Sequence, residues 1–575
     1  MKKPRRRQEG KTAASGAVSS PEARQPRAWW AEWWIWCAAL AGLFAVYEVY
    51  GPALNGAFVF DDRFLPFFAP QVKQDMLSFV GRLRPLLMLS FWIDYHRGDG
   101  ADPHTFHSTN IFLHFLTSVF ASLIALKLLE WAGVERRMRA ALAIFAGGLF
   151  LLHPLQTESV AYVASRSEVL SVLFYYAAFA VFVWRPGDSM SLPRALAIVV
   201  LFAAAAGVKE HTLTLPVLLI LTDYFWNRGG IRKNAILYGL LSAGAVVGGI
   251  YVWSILRNGG NAGFGMRDLP PLAYFFTQCR LIWTYIRMFF LPFGQNIDPD
   301  IPISGGPFDH GAILGLAALI ALVAAAWIWR KHAPLASFGV FMFLLLLAPT
   351  SSFIPIKDVL AEHRMYLPFL GLALICCEVL RRVNFTQAVG IGAAALAACC
   401  VLTYQRNQVW VSPLALWQDA VSKSPNKYRP RFQLAYQLQY EENRCADAVQ
   451  SYEIASRLGP VDDTLLVDWG LALDCSGRGS EAIEKLRQAE AIKNTAHVHT
   501  QIAMVHAKQR EYPEALAELA EAERIDAGYD MTYVYRGQIY EIAGDRAAAA
   551  REYHHALDLN PQNQVARDAL QRVAH

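Results

Sequence analysis

Eleven long apolar segments within the first 405 residues constrain this chain more than any other feature. They occupy residues 33–50, 108–128, 140–152, 168–184, 194–208, 212–226, 234–256, 311–329, 336–349, 365–380 and 387–404. As helices, such segments cross about 30 Å of hydrocarbon. With 54% apolar residues and a positive mean hydropathy, the composition excludes a soluble array, a disordered chain and a coiled coil. We therefore predict an all-α fold, a polytopic membrane helix bundle with about 11 transmembrane helices.

Basic residues predict the orientation of this bundle. Eight Lys and Arg precede residue 33, so the positive-inside rule makes residues 1–30 a basic cytoplasmic tail. Every second later connection is also basic, which leaves the first outer loop, 51–106, on the opposite side. The apolar stretch 274–290 would break this alternation, and it contains Gln278, Arg280 and Arg287. We interpret it as re-entrant or interfacial, with a span that buries paired arginines as the alternative.

A different pattern follows the membrane domain, which we place at 31–405. Small residues recur there at intervals of 34, 33 and 34: Ala448, Ala482, Ala515 and Ala549, with Ala455, Ala489, Ala522 and Ala556 and the bulky Tyr452, Leu486, Leu519 and Tyr553 at matching positions. The period resembles that of tetratricopeptide repeats, whose helix pairs need small residues where they cross. We predict a connector at 406–427 and a C-terminal α-solenoid at 428–575, with four repeats and a last helix.

Two of the eight cysteines differ from the rest. Cys445 and Cys475 lie near the turns of adjacent repeats, whereas the other six fall in apolar segments. An odd number of spans places the repeats outside the cytoplasm, in an oxidising compartment where disulfides persist. A bridge between Cys445 and Cys475 and a pair of unrelated thiols both fit this pattern.

The polar motifs of the membrane half all fall on the predicted outer side. Asp61 and Asp62 form an acidic pair suited to act as general base on a hydroxyl, although a helix N-cap or a solvated loop pair explains it equally well. Four cations are suited to a lipid phosphate, or simply to phospholipid headgroups: Arg364, Arg166, Lys209 and Arg84. Six further residues of these motifs are predicted to position substrate: His153, Glu158, Glu210, His211, Glu362 and Tyr366.

Other kinds of site are not indicated. His153, His211 and His363 lie in no HxxxH or HExxH arrangement, so we predict no metal site. The sequence has no Walker motif, no phosphate-binding glycine-rich loop and no GxSxG elbow. Chemistry driven by a nucleotide on the cytoplasmic side is therefore disfavoured.

An ordered set of motifs carries a family resemblance that runs from about residue 33 to the C-terminus. The motifs are FVFDD, RPLLMLSFWIDYHRG, PHTFHSTNIFLHFL, LFLLHPLQTESVAYVASRSEVLSVLFY, KEHTLTLPVLLILTDYF, AEHRMYLPFLGLAL and YQRNQVWVSPLALWQDAVSKSPN. With the repeats, the chain resembles the transmembrane-and-tetratricopeptide-repeat protein O-mannosyltransferases and their bacterial relatives, of the GT-C glycosyltransferase superfamily. Relatives often have AERR where this chain has AEHR, so His363 replaces a permanent cation by one that titrates near neutrality.

The resemblance implies transfer of a mannose-like sugar from a polyprenyl or dolichyl phosphate to a Ser or Thr hydroxyl of a secreted protein, with inversion. It implies that the acidic pair supplies the base, with Asp61 preferred over Asp62. The donor lipid, a protein acceptor bound by the repeats, and membrane lipids are the expected partners, and nucleic acid is not. No cofactor is firmly implied, and dependence on a divalent cation is left open.

The resemblance and the charge pattern together predict a location. We expect a multi-pass plasma (inner) membrane protein with its N-terminus in the cytoplasm and its active site and repeats in the periplasm. Asn384, the acceptor of the only NxT/S sequon, falls on the cytoplasmic side, which favours a bacterial membrane over a lumenal one. The alternative function is a non-catalytic membrane-anchored repeat scaffold for an envelope or secretion assembly. Flipping of lipid-linked sugars is disfavoured because the polar motifs lie on one side.

Overall fold

The computed structural model describes residues 33–68, 75–80, 84–226, 230–257, 259 and 261–574. The predicted basic tail at 1–30 lies outside these residues. Within the described ranges the chain forms helices and no strand, so the all-α prediction is confirmed.

In the described ranges of the membrane half, the chain forms sixteen α-helices. They are α1 (Trp33–Tyr50), α2 (Met76–Val80), α3 (Pro85–Arg97), α4 (Pro103–Trp131), α5 (Arg136–Leu152), α6 (Thr157–Ala161), α7 (Arg166–Val183), α8 (Leu192–Val208), α9 (Leu215–Phe225), α10 (Gly230–Lys233), α11 (Ala235–Leu256), α12 (Pro271–Phe290), α13 (Ala312–Ile328), α14 (Pro334–Leu347), α15 (Phe369–Leu380) and α16 (Phe385–Gln408). Each of the eleven predicted apolar segments falls on one of these helices.

The number of spans is a separate matter from the number of helices. Among the described residues, five helices are long and apolar enough to cross a membrane, namely α4, α7, α11, α13 and α16, or six if the bent pair of α5 and the segment through α6 counts as one span. The predicted figure of eleven therefore stays a prediction. Helix α7 is the centre of the bundle, because 89% of its apolar window is buried against 11% for α13.

Close backbone contact holds two of the shorter apolar helices together. Gly339 of α14 and Gly371 of α15 face each other, and a Cβ added to Gly339 would lie 2.3 Å from the carbonyl oxygen of Gly371. The hydrophobic effect does not drive helices together in lipid, so association depends on van der Waals packing, and small residues allow the backbones to pack closely. The polar helix α12 packs differently, since the Gln278 amide donates to the Val359 carbonyl oxygen at 2.7 Å. Whether α12 is re-entrant or a span stays a prediction.

The C-terminal part is a helical solenoid preceded by α17 (Pro413–Lys423). Its helices are α18 (Tyr428–Tyr440), α19 (Cys445–Leu458), α20 (Asp463–Cys475), α21 (Gly479–Ile492), α22 (Ala496–Lys508), α23 (Tyr512–Ile525), α24 (Asp530–Ile542), α25 (Arg546–Leu559) and α26 (Gln564–Ala574). All eight recurrent alanines and the four bulky residues between them are fully buried. A Cβ on Gly537 would lie 2.6 Å from the Tyr553 ring, so the repeat does need a small residue there.

A disulfide links Cys445 and Cys475, whose Cα atoms are 5.8 Å apart. It joins the start of α19 to the end of α20 and so fastens the first repeat to the second. Of the two alternatives that the sequence leaves open, the structure contains the bridge.

The solenoid packs directly on the outer loops of the membrane half. Asp298, only 1% exposed, accepts hydrogen bonds from the Arg429 guanidinium at 2.5 and 2.6 Å and lies 2.6 Å from Lys427 Nζ. The ring of Phe60, in the first outer loop, packs edge-on against Trp417 of α17 with centroids 4.9 Å apart. The first outer loop and the start of the solenoid therefore lie on the same side of the bundle.

Candidate functional site

The acidic pair lies in a 3₁₀ turn, Phe60–Phe64, and Asp62 is its buried member. Asp62 Oδ2 accepts the backbone N–H of Val59 at 3.0 Å, and Oδ1 accepts that of Ala164 at 2.6 Å. Burial raises the pKa of Asp62 to about 7, although both hydrogen bonds act in the opposite direction,. Asp62 therefore ties the first outer loop to the segment before α7.

Asp61 has the opposite environment. It is exposed, and its carboxylate makes no ion pair or hydrogen bond with any residue that the structure describes. Its backbone N–H donates to the Tyr162 hydroxyl at 3.0 Å. The preceding residue, Phe60, has a φ of 49°, a left-handed conformation that is unusual away from glycine and costs about 1–3 kcal/mol. Packing of the Phe60 ring against Tyr162 and Trp417 holds this turn and keeps Asp61 facing outward.

Two cavities meet at Phe60 and Asp61. The first, which we name the repeat-side cavity, has a volume of about 410 Å³ and is lined by Val59, Phe60, Asp61, Arg63, Phe64, Pro413, Trp417, Phe432, Gln433, Tyr436, Gln437, Thr464 and Asp468. The second, the seam cavity, has a volume of about 300 Å³ and lies between the outer loops of the membrane half and the base of the solenoid. Both volumes are within or near the range of small-ligand sites.

Charged side chains dominate the lining of the seam cavity. They are Asp61, Glu158, Asp298, Asp300, Lys357, Asp358, His363, Lys427 and Arg429. Lys427 and Arg429 are bonded to the buried Asp298. This leaves Lys357, which is exposed, and His363 as the basic side chains of the described lining that are not bonded to Asp298.

Glu158 brings the HPLQTES and AEHR motifs together. Its Oε1 lies 2.5 Å from His363 Nδ1, and its Oε2 accepts the backbone N–H groups of Glu362 at 2.8 Å and His363 at 3.3 Å. Glu362 is also buried and accepts hydrogen bonds from the Gln295 side chain and the Asn296 backbone, each at 2.8 Å. Burial raises the pKa of Glu362 to about 7. Of the residues predicted to position substrate, Glu158 is the one that lines a cavity.

A second polar cluster lies at the start of α7 and the end of α8. Lys209 Nζ contacts Glu168 Oε1 at 2.6 Å, and His211 Nε2 lies 3.4 Å from Glu168 Oε2. Arg84 donates to both carboxylate oxygens of Glu210 at 3.0 and 3.2 Å. We name these five residues the basic cluster.

The basic cluster is electrostatically connected to the seam cavity. Glu168 lies within Coulombic range of His363 as well as of its two direct partners. Glu168 is thus a shared neighbour of Lys209, in the basic cluster, and of His363, in the lining of the seam cavity.

Two of the predicted phosphate ligands are held by the protein itself. Arg166 is fully buried and pairs with Asp94 at 2.6 Å, and its remaining N–H groups donate to Asn110, Ser90 and Phe106. The Arg364 guanidinium donates to Tyr274 and to the backbone carbonyl oxygens of Thr350, Asp358 and Val359. Neither arginine lines either cavity.

His153 and Tyr366 are also part of the core. The His153 ring bridges the Phe289 carbonyl oxygen, at 2.9 Å, and the Leu155 backbone N–H, at 3.2 Å. The Tyr366 hydroxyl bonds to His114 Nδ1 at 2.8 Å. Both side chains are buried and line neither cavity, so they support the bundle beneath the site.

Sequence reasoning missed the contribution of the solenoid to both cavities. Trp417, Gln437 and Asp468 line the repeat-side cavity, and Lys427 and Arg429 line the seam cavity. The run KYRPR after residue 426 was the available signal, since it is unusually basic for the start of a repeat helix. Within the described part of the chain, no group of three or more His, Cys, Asp or Glu is placed to hold a metal ion.

Curated proteins similar to this chain include several that are named protein O-mannosyl-transferases. The human "Protein O-mannosyl-transferase TMTC3" is 22% identical over 559 residues, covering 84% of this chain and 58% of the relative. The human "Protein O-mannosyl-transferase TMTC4" is 25% identical over 431 residues, covering 64% of this chain and 57% of the relative. This chain thus spans somewhat more than half the length of these curated relatives.

Other comparisons add little. No family profile matches the chain. Among solved structures, "Crystal structure of YrrB: a TPR protein with an unusual peptide-binding site" is 21% identical, covers 32% of this chain and 89% of that one, and has a TM-score of 0.23. That score is too low to carry an argument.

Fold and comparisons together define the class: an all-α membrane protein with a tetratricopeptide-type solenoid. The similarity over most of the chain to proteins named O-mannosyl-transferases confirms the family resemblance seen in the motifs.

Proposed function

We propose that this protein is a membrane glycosyltransferase that moves a mannose-like sugar from a polyprenyl or dolichyl phosphate to a Ser or Thr hydroxyl of a protein. The observation that carries the proposal is the position of Asp61. Its carboxylate, which has no ion pair or side-chain hydrogen bond with the described residues, lies where two cavities meet, and a transfer between two substrates needs a base between them. The names of the relatives support the same activity.

The seam cavity is proposed to receive the donor. His363, which lines this cavity, is proposed to hold the lipid phosphate together with Lys209 and Arg84, because charge-assisted hydrogen bonds to phosphate oxygens are strong. Lys209 and Arg84 line neither cavity and each pairs with one carboxylate, so the phosphate is proposed to lie at the edge of the seam cavity nearest to them. Arg166 and Arg364, which are held by several protein groups each, are proposed to support the site without contacting the phosphate.

The proposed chemistry is a single displacement. An acceptor hydroxyl is too weak an acid to be ionised beforehand, so Asp61 takes its proton while the oxygen bonds to the anomeric carbon. The bond from that carbon to the phosphate oxygen breaks at the same time, and the lipid phosphate leaves with the electron pair. Attack from the side opposite the phosphate inverts the anomeric centre. Asp62, buried and bonded to two backbone N–H groups, keeps the turn that presents Asp61.

The proposed location is a multi-pass plasma (inner) membrane with the N-terminus in the cytoplasm and the site in the periplasm. Direct packing of the solenoid on the first outer loop supports a common side for both. The disulfide between Cys445 and Cys475 supports an oxidising compartment.

The test is a transfer assay with purified protein in nanodiscs, a radiolabelled polyprenyl-phosphate mannose and an extract of periplasmic proteins. We expect label in protein for the wild type and none for Asp61→Asn. Asp558→Asn, which changes an exposed aspartate of α25 outside both cavities, should retain wild-type transfer. Parallel reactions with EDTA test dependence on a divalent cation. Donor binding without transfer by the wild type would instead support the scaffold function.

A further inference from the structure

One carboxylate in the wall of the repeat-side cavity lacks a cationic partner. Asp468 accepts a hydrogen bond from the Tyr440 hydroxyl at 3.0 Å, and no cation among the described residues pairs with it. A partly buried carboxylate without a cation is costly in the absence of a ligand.

The charge of this cavity favours a cation. Asp61, Arg63 and Asp468 are the charged groups of its lining, and Arg63 is already paired with Glu441 at 3.6 Å. Burial raises the pKa of Asp468 to about 6, which shows that its charge is poorly solvated. A cation beside Asp468 restores the lost interaction.

Aromatic side chains form the other walls. Trp417, Phe432 and Tyr436 line the cavity together with Phe60. Aromatic faces attract a guanidinium and also cover the methylene groups of an arginine side chain. A carboxylate beside aromatic rings is thus better matched to Arg than to Lys, since only the guanidinium is planar and forked.

We propose that the repeat-side cavity binds an extended acceptor segment in which an arginine close to the modified Ser or Thr pairs with Asp468. The placement of the hydroxyl beside Asp61 rests on the proposed function, whereas the arginine site rests on the cavity alone. The solenoid then selects acceptors by a basic side chain close to the site of transfer.

The experiment measures binding of peptides to full-length protein in nanodiscs without donor. The probes are fluorescein-labelled eleven-residue peptides with a central Thr and otherwise Gly, Ser and Gln, in which one Arg is moved through every other position, and the parent peptide that has Gln throughout. We expect the best Arg peptide to bind at least about tenfold more tightly than the parent, as for one well-placed charged pair.

Variants of the carboxylate test the assignment. Asp468→Asn should reduce the preference for Arg to about twofold or less while binding of the parent peptide is unchanged, and Asp468→Lys should reverse the preference toward a matched Glu peptide. Asp463→Asn is the control, because Asp463 lies on the same helix, contacts Lys493 at 3.8 Å and lines neither cavity. Melting temperatures of all variants verify that they fold.

Two results would overturn the inference: no Arg peptide binds better than the parent, or the preference persists in Asp468→Asn. The experiment also distinguishes failure of this inference from failure of the proposed function. Arginine-dependent binding without any transfer of sugar would reject the transferase activity and keep the arginine site. Transfer of sugar without any preference for arginine would reject the arginine site and keep the transferase activity.

Discussion

The two cavities and the protein wall beneath them use the same residue types in opposite ways. In the lining of the cavities, Asp61 and Lys357 are exposed, and their charged groups have no partner among the described residues. In the wall, Asp62 and Arg166 are buried and bonded to several groups each. A polar motif in a membrane protein therefore indicates a ligand site only where its side chain is accessible to a ligand. A buried charge has to be paired with other protein groups in any case, because burial without a partner is strongly destabilising.

The strongest way to break this comparison is to neutralise both members of the acidic pair in turn. Asp61→Asn should lower transfer by about 10³-fold or more with an unchanged melting temperature, since it removes the proton acceptor and no contact. Asp62→Asn should lower the melting temperature and retain measurable transfer. Both are checked by the transfer assay and by thermal unfolding in detergent. Equal losses of transfer in stably folded Asp61→Asn and Asp62→Asn proteins would contradict the separate roles of the two aspartates.

The second prediction concerns the wall. Arg166→Met leaves Asp94 buried without its partner and should destabilise the fold by about 3–5 kcal/mol. Thermal unfolding measures this effect, and Arg166→Met combined with Asp94→Leu should recover part of the loss. A stable, well-folded Arg166→Met protein with no transfer would instead show that Arg166 contacts substrate.

The third prediction separates the solenoid from the bundle. Replacing both Cys445 and Cys475 by Ser should destabilise the repeats by about 2–4 kcal/mol, because the bridge restricts the unfolded chain. Hydrogen exchange should rise in α19 and α20 and stay unchanged in α7. Identical exchange in both proteins, or a faster α7, would contradict a local role for the bridge.

The fourth prediction concerns the pH dependence of stability. Burial raises the pKa of Asp62 to about 7, so its protonated form is favoured in the folded state, and this contribution to stability is lost as pH rises from about 4 through 7. Asp62→Asn should flatten the pH dependence of the melting temperature between pH 4 and pH 8. Asp558→Asn should keep the wild-type slope. Parallel curves for the wild type and Asp62→Asn would refute the assignment of this slope to Asp62.

The sequence predicted the helices and the repeats well, because both depend on local spacing. Apolar segments located the helices of the bundle, and the interval between Ala448 and Ala482 located the solenoid. The site was predictable only as a set of motifs. Whether Arg364 binds a ligand or a backbone carbonyl oxygen depends on how deeply it is buried. Its burial depends on long-range contacts such as the hydrogen bond to Tyr274, ninety positions away, and a local sequence pattern does not contain such contacts.

Because Arg429 and Lys427 form ion pairs with Asp298, residues at the start of the solenoid form part of the wall of the seam cavity. An exchange of repeats between relatives would therefore alter the lining of the seam cavity, the proposed donor site, as well as the repeat-side cavity. A chimera that is meant to keep both cavities intact has to carry the segment around Asp298 together with its own α18.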